Sequence, residues 1–470
     1  MSKQAPPPPK PKGPRRDLLA RTLATHIRTA HGAGSALTLD VSDEMGSPRG
    51  FVGTNNVALS RALGTPGIPL GRVTEISGWP GAGKSTMLDQ IFAACQADGG
   101  IGVLADTERG RNRAYMASLA VQPESLVWID GRTVELMFDE IETLARTVAN
   151  LNATAWAEAL ARQGVKMPGL PTYKYLVFDP NDSSKNRKPL ASYEFAQWGR
   201  AQAAVLMDWQ RSEGMKPSGI RDHASREALN PVILHGQSPG ENKEALSDWL
   251  SGRDTELAQA ADRPIVIGWD SVAGTATEAE LEGSARDVHP ATAARVIRRN
   301  LRRLIQLIDD EAIAMVLVNQ RYEKLPIGGR PMWGKQSETY GGGGIKYHTT
   351  IRIEVDKCGD IYEKGGRGSG IPPVGQEVMI KIPKNKLNDP FRVEKFGLIF
   401  GKGADDSWAI FDDLKDRGII RVGGGWARFT DSNLLGDDDR SFRGWTELRE
   451  ILDDNPKLAK TLTEIYLEGR

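Results

Sequence analysis

The chain has 470 residues, which is enough for one large domain together with one or two smaller ones. Apolar residues make up 39% and charged residues 26%, and no stretch approaches the roughly eighteen consecutive apolar residues of a membrane helix, so we expect a soluble globular protein. The 61 basic and 61 acidic residues cancel, which argues against a protein that coats nucleic acid through its overall charge but does not exclude a local basic surface.

The N-terminus and the cysteines predict a cytoplasmic protein. Residues 1–16 are rich in proline and lysine, which predicts a disordered tail, and no apolar core follows their basic residues as it would in a secretion signal. Cys95 and Cys358 are too few for a disulfide framework and lack the paired spacing of a zinc site. They fit the reducing conditions of the cytosol.

Helical and strand patterns alternate after the tail. Leu18, Leu19, Leu23 and Ile27 recur on one side of a predicted N-terminal helix. The next predicted elements, in chain order, are a strand at 73–76, a helix at 86–97, a strand at 101–104, a helix at 113–120, a strand at 126–129 and a helix at 135–149. This alternation is typical of an α/β fold, in which helices cover both faces of a parallel sheet.

The alternation stops between residues 150 and 262, where tryptophans, prolines and polar clusters interrupt any periodicity. We interpret this segment as an insertion with helices of its own, because it is too long for a simple loop. Strand patterns resume at 264–271 (PIVIGWDS) and 314–320 (AMVLVNQ), and continue at 349–356, 377–383 and 391–399. The residues from about 401 onward predict a small C-terminal domain that contains helices.

A phosphate loop is predicted at residues 78–85, where GWPGAGKS satisfies the pattern G-x-x-x-x-G-K-[ST] between a predicted strand and a predicted helix. Its glycines let backbone amides turn toward phosphates, and the helix N-terminus adds partial positive charge. We expect Lys84 to reach the β- and γ-phosphates of ATP and Ser85 to bind Mg²⁺. The predicted nucleotide-binding residues of the loop are Gly78, Pro80, Gly81, Ala82, Gly83, Lys84 and Ser85.

Hydrolysis also needs a carboxylate near the metal and a group that orients the attacking water. Asp270 ends an apolar strand and is the predicted metal-side acid, although Asp179 ends a similar run inside the insertion. We favour Asp270 because the strand that ends in Asn319 and Gln320 follows it after one helix. Glu108 follows the strand after the phosphate-loop helix, where ligands of open α/β sheets bind, and it is the candidate for polarising water. The alternative for Glu108 is a solvated loop acid.

The helix after Asp270 is rich in arginine. Its arginines recur at helical spacing, which gives one basic face, and no acidic residue lies between Arg295 and Arg303 to neutralise it. Such a face can follow a phosphate backbone, and we favour this over the commoner solvated helix face. With one arginine of the preceding loop, the predicted DNA-binding residues are Arg286, Arg295, Arg298 (or Arg299) and Arg302.

A second loop, at residues 321–340, is also predicted to contact DNA. Long loops in compact domains are usually functional or disordered, and this one combines basic with large apolar side chains that can stack on bases. For Trp333, simple packing is an equal alternative. The glycines that follow the loop would let the backbone approach phosphates. The predicted contacts are Arg321, Lys324, Leu325, Arg330, Trp333, Lys335, Gly341 and Gly342.

Several segments in one order resemble the bacterial RecA family: GRVTEISGWPGAGKST, LADTERG, VIGWDSVAG, VLVNQ, GGGGIKYH and KIPKNKLNDPF. The resemblance covers about residues 57–144 and 264–470. It implies a P-loop RecA-like core with a mostly parallel central sheet flanked by helices, an N-terminal helix and a small α+β C-terminal domain. The insertion has no counterpart that we recognise, and with the proline-rich start it favours a divergent, phage-encoded member.

The resemblance implies roles for individual residues around ATP. Lys84, Ser85 and Thr86 would bind phosphates and Mg²⁺, with Asp270 as the second metal-side group. Glu108 would activate water. Tyr115 would stack on adenine, whereas Asn112 stands where the family often has an aspartate near the base, so this contact is in doubt.

Two further roles connect ATP with other parts of the assembly. Gln320 would sense the γ-phosphate and pass its presence to the second loop. Lys384 and Lys386 would reach into the ATP site of the neighbouring subunit, although from the residues alone KNK is better explained as an exposed turn. The implied catalytic residues are thus Lys84, Glu108, Gln320, Lys384 and Lys386.

The resemblance implies an ATP- and Mg²⁺-dependent recombinase that forms helical filaments on single-stranded DNA and pairs it with homologous duplex DNA, assisted by loading or mediator proteins. The predicted domains are a tail (1–16), a polymerisation helix and linker (17–56), a first part of the ATPase core (57–149), the insertion (150–262), a second part of the core with the DNA-binding loops (263–400) and the C-terminal domain (401–470).

Two other functions use the same fold, namely a hexameric helicase or translocase and a regulatory DNA-repair ATPase. Strand exchange is favoured because the resemblance continues beyond the ATPase core. GWAR at 425–428 and ILDDNPKLAKTL at 451–462 resemble the C-terminal domain of RecA, which helps admit duplex DNA.

Overall fold

The structure is a computed structural model, and it describes residues 46–178, 189–196, 200–215, 263–282, 292–323, 337–362, 370–431 and 441–469. Contacts divide these residues into two compact units, a larger one within 48–146 and 263–469 and a smaller one that comprises 46–47 and residues within 147–215. Among the residues described, no helix has the length and apolar character needed to cross a membrane. The predicted tail and N-terminal helix lie outside the described residues.

Helices and strands alternate along the larger unit as the sequence predicts, and the bounds that follow cover both units. The strands are β1 (Phe51–Val52), β2 (Ile68–Pro69), β3 (Val73–Gly78), β4 (Ile101–Asp106), β5 (Leu126–Ile129), β6 (Thr172–Phe178), β7 (Pro189–Ala196), β8 (Ile265–Asp270), β9 (Ile313–Glu323), β10 (Ser337–Thr339), β11 (Ile351–Ile361), β12 (Gly375–Asn385), β13 (Val393–Ile399), β14 (Gly403–Asp405), β15 (Ile420–Gly423) and β16 (Trp426–Phe429). The helices are α1 (Val57–Leu63), α2 (Lys84–Ala97), α3 (Arg113–Ser118), α4 (Val134–Arg162), α5 (Arg200–Ser212), α6 (Glu278–Glu282), α7 (Thr292–Asp310), α8 (Gly342–His348), α9 (Asp406–Asp416), α10 (Gly444–Asp454) and α11 (Pro456–Glu468).

A ten-stranded sheet forms the centre of the larger unit. Its strands lie in the order β14–β13–β12–β11–β3–β9–β8–β4–β5, and β10 pairs with the end of β9. From β11 to β5 in this order the neighbours are parallel, and from β11 to β14 they are antiparallel. The prediction of an α/β fold with a mostly parallel central sheet is confirmed.

The central strands are buried and most of their residues are apolar, although β3 also buries Thr74, Glu75 and Ser77. Every residue of β3 and β8 is buried, as are residues 313–319 of β9. Helix α2 lies very close to β8, since a Cβ atom added at Gly268 would stand 2.6 Å from Leu88 Cδ1. This packing fixes the start of α2, and with it the phosphate loop, against the sheet.

The strand register places the polar residues of four strands at one edge of the sheet. Gly78 of β3 is paired with Gln320 of β9, and Asp106 of β4 is paired with Asp270 of β8. Because parallel strands share a direction, their carboxyl ends form a single crevice, which is where ligands bind in open α/β sheets. The fold therefore gathers the predicted nucleotide residues at one place.

Helix α4 corrects one sequence prediction. It was expected to end at Ala149, where the insertion was predicted to begin, but it continues to Arg162. Buried Ala149, Ala153, Trp156 and Leu160 keep the helical spacing across the predicted boundary. Polar residues after position 149 hid this spacing, since Asn150 and Asn152 are buried as well.

The smaller unit has its own apolar core, formed by Trp156 and Leu160 of α4 with Leu206 and Trp209 of α5. Strands β6 and β7 pair antiparallel in a two-stranded sheet of their own. Asp179, the alternative metal-side acid, lies outside the described residues, but the strand before it does not belong to the ten-stranded sheet. This sheet membership favours Asp270.

The last part of the chain forms an α+β region after β14. Helices α9, α10 and α11 and the hairpin β15–β16 share a core in which the Phe442 ring lies 5.4 Å from that of Phe429 and 6.3 Å from that of Phe411. The predicted small α+β C-terminal region is confirmed.

Candidate active site

The phosphate loop turns from β3 into α2 through glycines in the left-handed region of backbone conformation. Gly81 has a φ of 73° and Gly83 a φ of 95°, values that other residues rarely adopt. A Cβ atom at Gly83 would also stand 2.6 Å from Leu398 Cδ2, so the loop lies tightly against β13. Gln376 of β12 donates from Nε2 to the Gly81 carbonyl oxygen at 3.0 Å and holds the loop from the same side.

Lys84 stands at the first position of α2 and is only 8% exposed. Its Nζ donates to the Trp79 carbonyl oxygen at 2.9 Å. Burial lowers the pKa of Lys84, while the negative charges of Asp270 and Glu108 act in the opposite direction. Both predicted acids therefore lie within electrostatic range of the Lys84 amine.

The candidate metal site joins the phosphate loop to the end of β8. Ser85 Oγ donates to Asp270 Oδ2 at 2.7 Å, and Asp270 is 4% exposed. A hydroxyl and a carboxylate are the hard oxygen ligands that Mg²⁺ prefers, and Mg²⁺ commonly takes only one or two protein ligands beside phosphates and water. Ser85 and Asp270 therefore fit the predicted binding of Mg²⁺.

Glu108, in contrast, is exposed and belongs to the loop after β4. Its Oε1 accepts hydrogen bonds from Gln320 Nε2, at 2.7 Å, and from Ser271 Oγ. The two donors fix the orientation of the carboxylate. Gln320 and Glu108, which lie 212 positions apart in the chain, are thus in direct contact.

Asp270 has a second partner that the sequence prediction missed. Arg111 Nη2 donates to Asp270 Oδ2 at 2.7 Å, and Arg111 Nη1 pairs with Asp89 of α2. Burial raises the pKa of Asp89 to about 6, against the opposing effect of Arg111. The sequence contains one signal for this pairing. Asp89 is an acidic residue on the buried side of α2, and buried acids are nearly always paired.

The predicted adenine contacts lie at the start of α3. The Tyr115 ring is 38% exposed, as a stacking surface must be. Asn112 caps the helix, since its Oδ1 accepts from the amides of Ala114 at 2.8 Å and Tyr115 at 3.1 Å. This capping role explains the residue type locally, and a contact of Asn112 with the base stays a prediction.

Arg321 was predicted to begin the second loop, but it belongs to β9, where it is paired with Thr339 of β10. Its side chain turns toward the phosphate loop. Its side chain is only 12% exposed and pairs with Asp356 of β11 at 2.7 Å. The guanidinium carbon also lies 5.6 Å from the centre of the Trp79 ring. These contacts leave little of Arg321 accessible to DNA, whereas the other predicted contacts of the loop and Arg286 lie outside the described residues: Lys324, Leu325, Arg330, Trp333 and Lys335.

The predicted basic helix is α7, whose buried residues face the sheet while its arginines face outward. We call Arg295, Arg298, Arg299 and Arg302 the arginine face. Within the helix no acid lies between Arg295 and Arg303, as predicted. However, Glu142 of another helix, α4, pairs with Arg303 at 2.9 Å. Tertiary structure supplied this acid from a distant segment.

The glycines after the second loop belong to a helix and not to a flexible segment. Gly341 caps α8 with a φ of 79°, and Gly342 to Gly344 lie within its first turn. A Cβ atom at Gly344 would stand 3.0 Å from Arg298 Cβ, so small residues here let α8 pack on α7. Contact of Gly341 and Gly342 with DNA stays a prediction.

Lys384 and Lys386 lie near the end of α8. Lys384 Nζ donates to the carbonyl oxygens of Lys346 and, at 3.3 Å, Tyr347, which are among the last of that helix. Burial, followed by the charges of Lys386 and Arg352, lowers the pKa of Lys384 to about 8. Lys386 is exposed. Their reach into a neighbouring subunit stays a prediction.

Comparison with known proteins identifies the family to which this arrangement belongs. The family model described as the RecA N-terminal domain matches residues 18–151 and 255–405, which is more than half of the chain. The chain belongs to the RecA family. The predicted resemblance is confirmed, and the family domain is an ATPase domain that suggests ATP binding.

The similar proteins include several named "Protein RecA". One from Arthrobacter sp. (strain FB24) is 24% identical over 97% of this chain and 91% of its own length. One from Paenarthrobacter aurescens (strain TC1) is also 24% identical, over 97% and 93%. One from Mycobacterium sp. (strain KMS) is 23% identical over 90% and 86%. This chain is therefore a divergent RecA-family protein.

In this RecA-family protein, residues 152–254 separate the two matched segments. The matched segments contain every residue of the nucleotide site described above, including Arg111, Ser271 and Gln376, which the sequence prediction missed. Ser271 directly follows Asp270, so a polar residue at the end of β8 was the signal that could have identified it.

Proposed function

We propose that this protein is an ATP- and Mg²⁺-dependent recombinase that forms filaments on single-stranded DNA and catalyses homologous pairing and strand exchange. The observation that carries the proposal is the hydrogen bond from Gln320 Nε2 to Glu108 Oε1 at 2.7 Å. It joins the candidate catalytic acid to β9, the strand that leads into the second loop. ATP chemistry and polynucleotide binding can therefore be coupled through one side chain.

The chemistry follows from the residues around the phosphate loop. Backbone amides of residues 78–85 and the Lys84 amine would bind the phosphates, and Ser85 with Asp270 would hold Mg²⁺. The ion supplies charge neutralisation on the phosphate oxygens. Glu108, oriented by Ser271, would accept a hydrogen bond from the attacking water and polarise it.

ATP binding would be coupled to DNA binding because two acceptors, Glu108 and the γ-phosphate, compete for the Gln320 amide. A γ-phosphate oxygen carries negative charge as the Glu108 carboxylate does, so bound ATP would compete with Glu108 for the N–H donors of the Gln320 amide. Gln320 lies on β9, and β9 leads directly into the second loop. A shift of the Gln320 side chain would then change the conformation of this loop and its affinity for DNA.

The arginine face gives the proposed DNA site its charge. Arg295, Arg298, Arg299 and Arg302 are exposed along one side of α7, and phosphate contacts of this kind supply most of non-specific affinity. Single-stranded DNA held there keeps its base edges available, so pairing with a homologous duplex tests the sequence. The relatives named "Protein RecA" support this reaction.

The decisive experiment is a joint-molecule assay with single-stranded DNA, homologous duplex DNA, ATP and Mg²⁺, run on the wild type and on Lys84→Ala. We expect ATP-dependent joint molecules from the wild type and none from the variant. DNA-stimulated hydrolysis without joint molecules would contradict recombination. Closed rings instead of helical filaments, seen by negative-stain microscopy with a slowly hydrolysed ATP analogue, would favour a helicase or translocase.

A further inference from the structure

A buried arginine lies between two buried acidic residues beside the nucleotide site. Arg111 belongs to the loop after β4, Asp89 to α2 and Asp270 to the end of β8. Their side chains are 7%, 2% and 5% exposed, respectively. Charges this deep in a protein are costly unless they are paired, so the contacts among them must be specific.

The guanidinium of Arg111 is fixed in position and tilt by three acceptors. Nη2 donates to Asp270 Oδ2 at 2.7 Å, and Nη1 donates to the Ser85 backbone oxygen at 3.1 Å and pairs with Asp89. The planar group carries its donors in a rigid fork, which a lysine ammonium cannot reproduce. Arg111 therefore holds a defined geometry between α2 and β8.

This geometry determines which way the Asp270 carboxylate faces. Oδ2 accepts from both Ser85 Oγ and Arg111 Nη2, each at 2.7 Å. An ionised carboxylate has about four lone-pair positions, so two donors on Oδ2 leave the acceptor positions of Oδ1 for water bound to a metal. Without Arg111, Ser85 alone would hold Asp270, and the carboxylate could rotate.

The same arginine closes the loop that carries Glu108. At the start of this loop, the Thr107 amide donates to the Asp270 backbone oxygen at 2.9 Å, and Thr107 Oγ1 donates to the Ser271 backbone oxygen at 2.9 Å. Asp106 accepts from the amide of Arg109 at 2.9 Å. The Arg111 side chain holds the far end of the loop, so Glu108 lies between two fixed points.

We propose that Arg111 is a positioning residue for ATP hydrolysis, which orients Asp270 toward the metal and fixes the loop of Glu108, with Asp89 as the counter-charge that holds the guanidinium in place. The inference rests on the proposed hydrolysis of ATP. Arg111 itself need not touch the nucleotide, because its effect passes through Asp270 and the loop backbone.

The test compares the full-length wild type with Arg111→Met, Arg111→Lys and the double variant Asp89→Leu/Arg111→Met. The double variant removes both buried charges. It therefore distinguishes two effects of losing Arg111, namely an unpaired charge on Asp89 and a changed orientation of Asp270. Arg109→Met is the matched control, because the Arg109 side chain is 68% exposed in the same loop and pairs only at the surface with Asp130. Thermal unfolding of each protein reports whether it is folded.

The first measurement is the binding of a fluorescent, slowly hydrolysed ATP analogue at increasing Mg²⁺ concentration. We expect Arg111→Met to raise the Mg²⁺ concentration at half-maximal binding roughly 10–100-fold, as loss of an outer-shell partner of a metal ligand typically does. Arg111→Lys should show a smaller increase, and Arg109→Met should match the wild type. The double variant should regain thermal stability but keep the shifted Mg²⁺ dependence.

The second measurement is steady-state hydrolysis at saturating Mg²⁺. We expect Arg111→Met to lower kcat about 10-fold or more while KM for ATP changes little, because phosphate binding by Lys84 and the loop amides is intact. If the double variant recovers both the wild-type Mg²⁺ dependence and kcat, Arg111 only balances Asp89 and the inference is wrong.

Failure of the proposed function has a different signature. A wild type that binds the ATP analogue with Mg²⁺ but hydrolyses no ATP would contradict the ATPase proposal, and the Mg²⁺ titration would still decide the orienting role of Arg111. An unshifted titration in folded Arg111→Met would overturn the inference whatever the wild-type activity.

Discussion

The nucleotide pocket and the arginine face use charge in opposite ways. In the pocket, Lys84, Arg111 and Asp270 are buried, and Asp270 contacts both Arg111 and Ser85 from distant parts of the chain. On the arginine face, the guanidinium groups lie on successive turns of one helix and are exposed to water. The proposed function of the pocket depends on the exact placement of its charged groups, whereas that of the arginine face depends mainly on the number of its charges.

This difference predicts how the two regions respond to substitution. A buried group that loses its partner keeps the full cost of its desolvation, so one change in the pocket has a large effect. Exposed charges that bind a phosphate backbone act almost independently, so each change has a modest, salt-dependent effect. The predictions below test this contrast, beginning with the largest effect.

Lys84→Ala should reduce kcat/KM for ATP at least about 100-fold, since it removes the only side-chain cation of the phosphate loop and a preorganised charge at the phosphates. The measurement is steady-state hydrolysis at saturating DNA. Thermal unfolding should remain near that of the wild type, because a buried ammonium is removed together with its desolvation cost. A variant that hydrolyses ATP at the wild-type rate would exclude this pocket as the active site.

Gln320→Ala should separate hydrolysis from DNA binding. The variant loses a hydrogen bond to a charged group, which is worth about 1.5–3 kcal/mol, so we expect the DNA-stimulated rate to fall about tenfold or more. The rate without DNA should change much less, because Ser271 still orients Glu108. Rates with and without single-stranded DNA check this, and undiminished stimulation would show that coupling takes another path.

The double variant Arg298→Ala/Arg302→Ala should bind single-stranded DNA more weakly than the wild type. The affinity of this variant should also depend less on the salt concentration. Each lost phosphate contact lowers the slope of log affinity against log salt by about 0.7, so the double variant should lose about 1.4. Fluorescence anisotropy with a labelled oligonucleotide at several salt concentrations measures both quantities. An unchanged slope would mean that the arginine face is merely solvated.

Arg303→Ala should show the smallest effect on DNA. This arginine pairs with Glu142 and is 52% exposed, so its charge is partly neutralised and its loss should lower the free energy of unfolding by about 0.2–1 kcal/mol. Its DNA affinity should stay within about twofold of the wild type, in contrast with Arg298→Ala/Arg302→Ala. Urea unfolding and the same anisotropy assay provide the comparison. A salt slope reduced as much as in that double variant would place Arg303 in the binding surface.

Much of the nucleotide site could be predicted because its parts are local patterns. The phosphate loop has a fixed spacing, and Asp270 ends an apolar strand. The helical spacing of α7 was also visible in the sequence. The end of α4 was not, because buried Asn150 and Asn152 imitate the composition of a loop.

The sequence by itself determined which polar residues lie near the ends of the central strands, because strand patterns and glycine turns depend on neighbouring positions. Only the tertiary structure decided which of these residues meet. Arg111 lies 22 positions from Asp89 and 159 positions from Asp270, and their contact requires β4 to lie beside β8 under the start of α2. Local periodicity carries no information about the order of strands in a sheet, so this buried pairing emerges only from the folded chain.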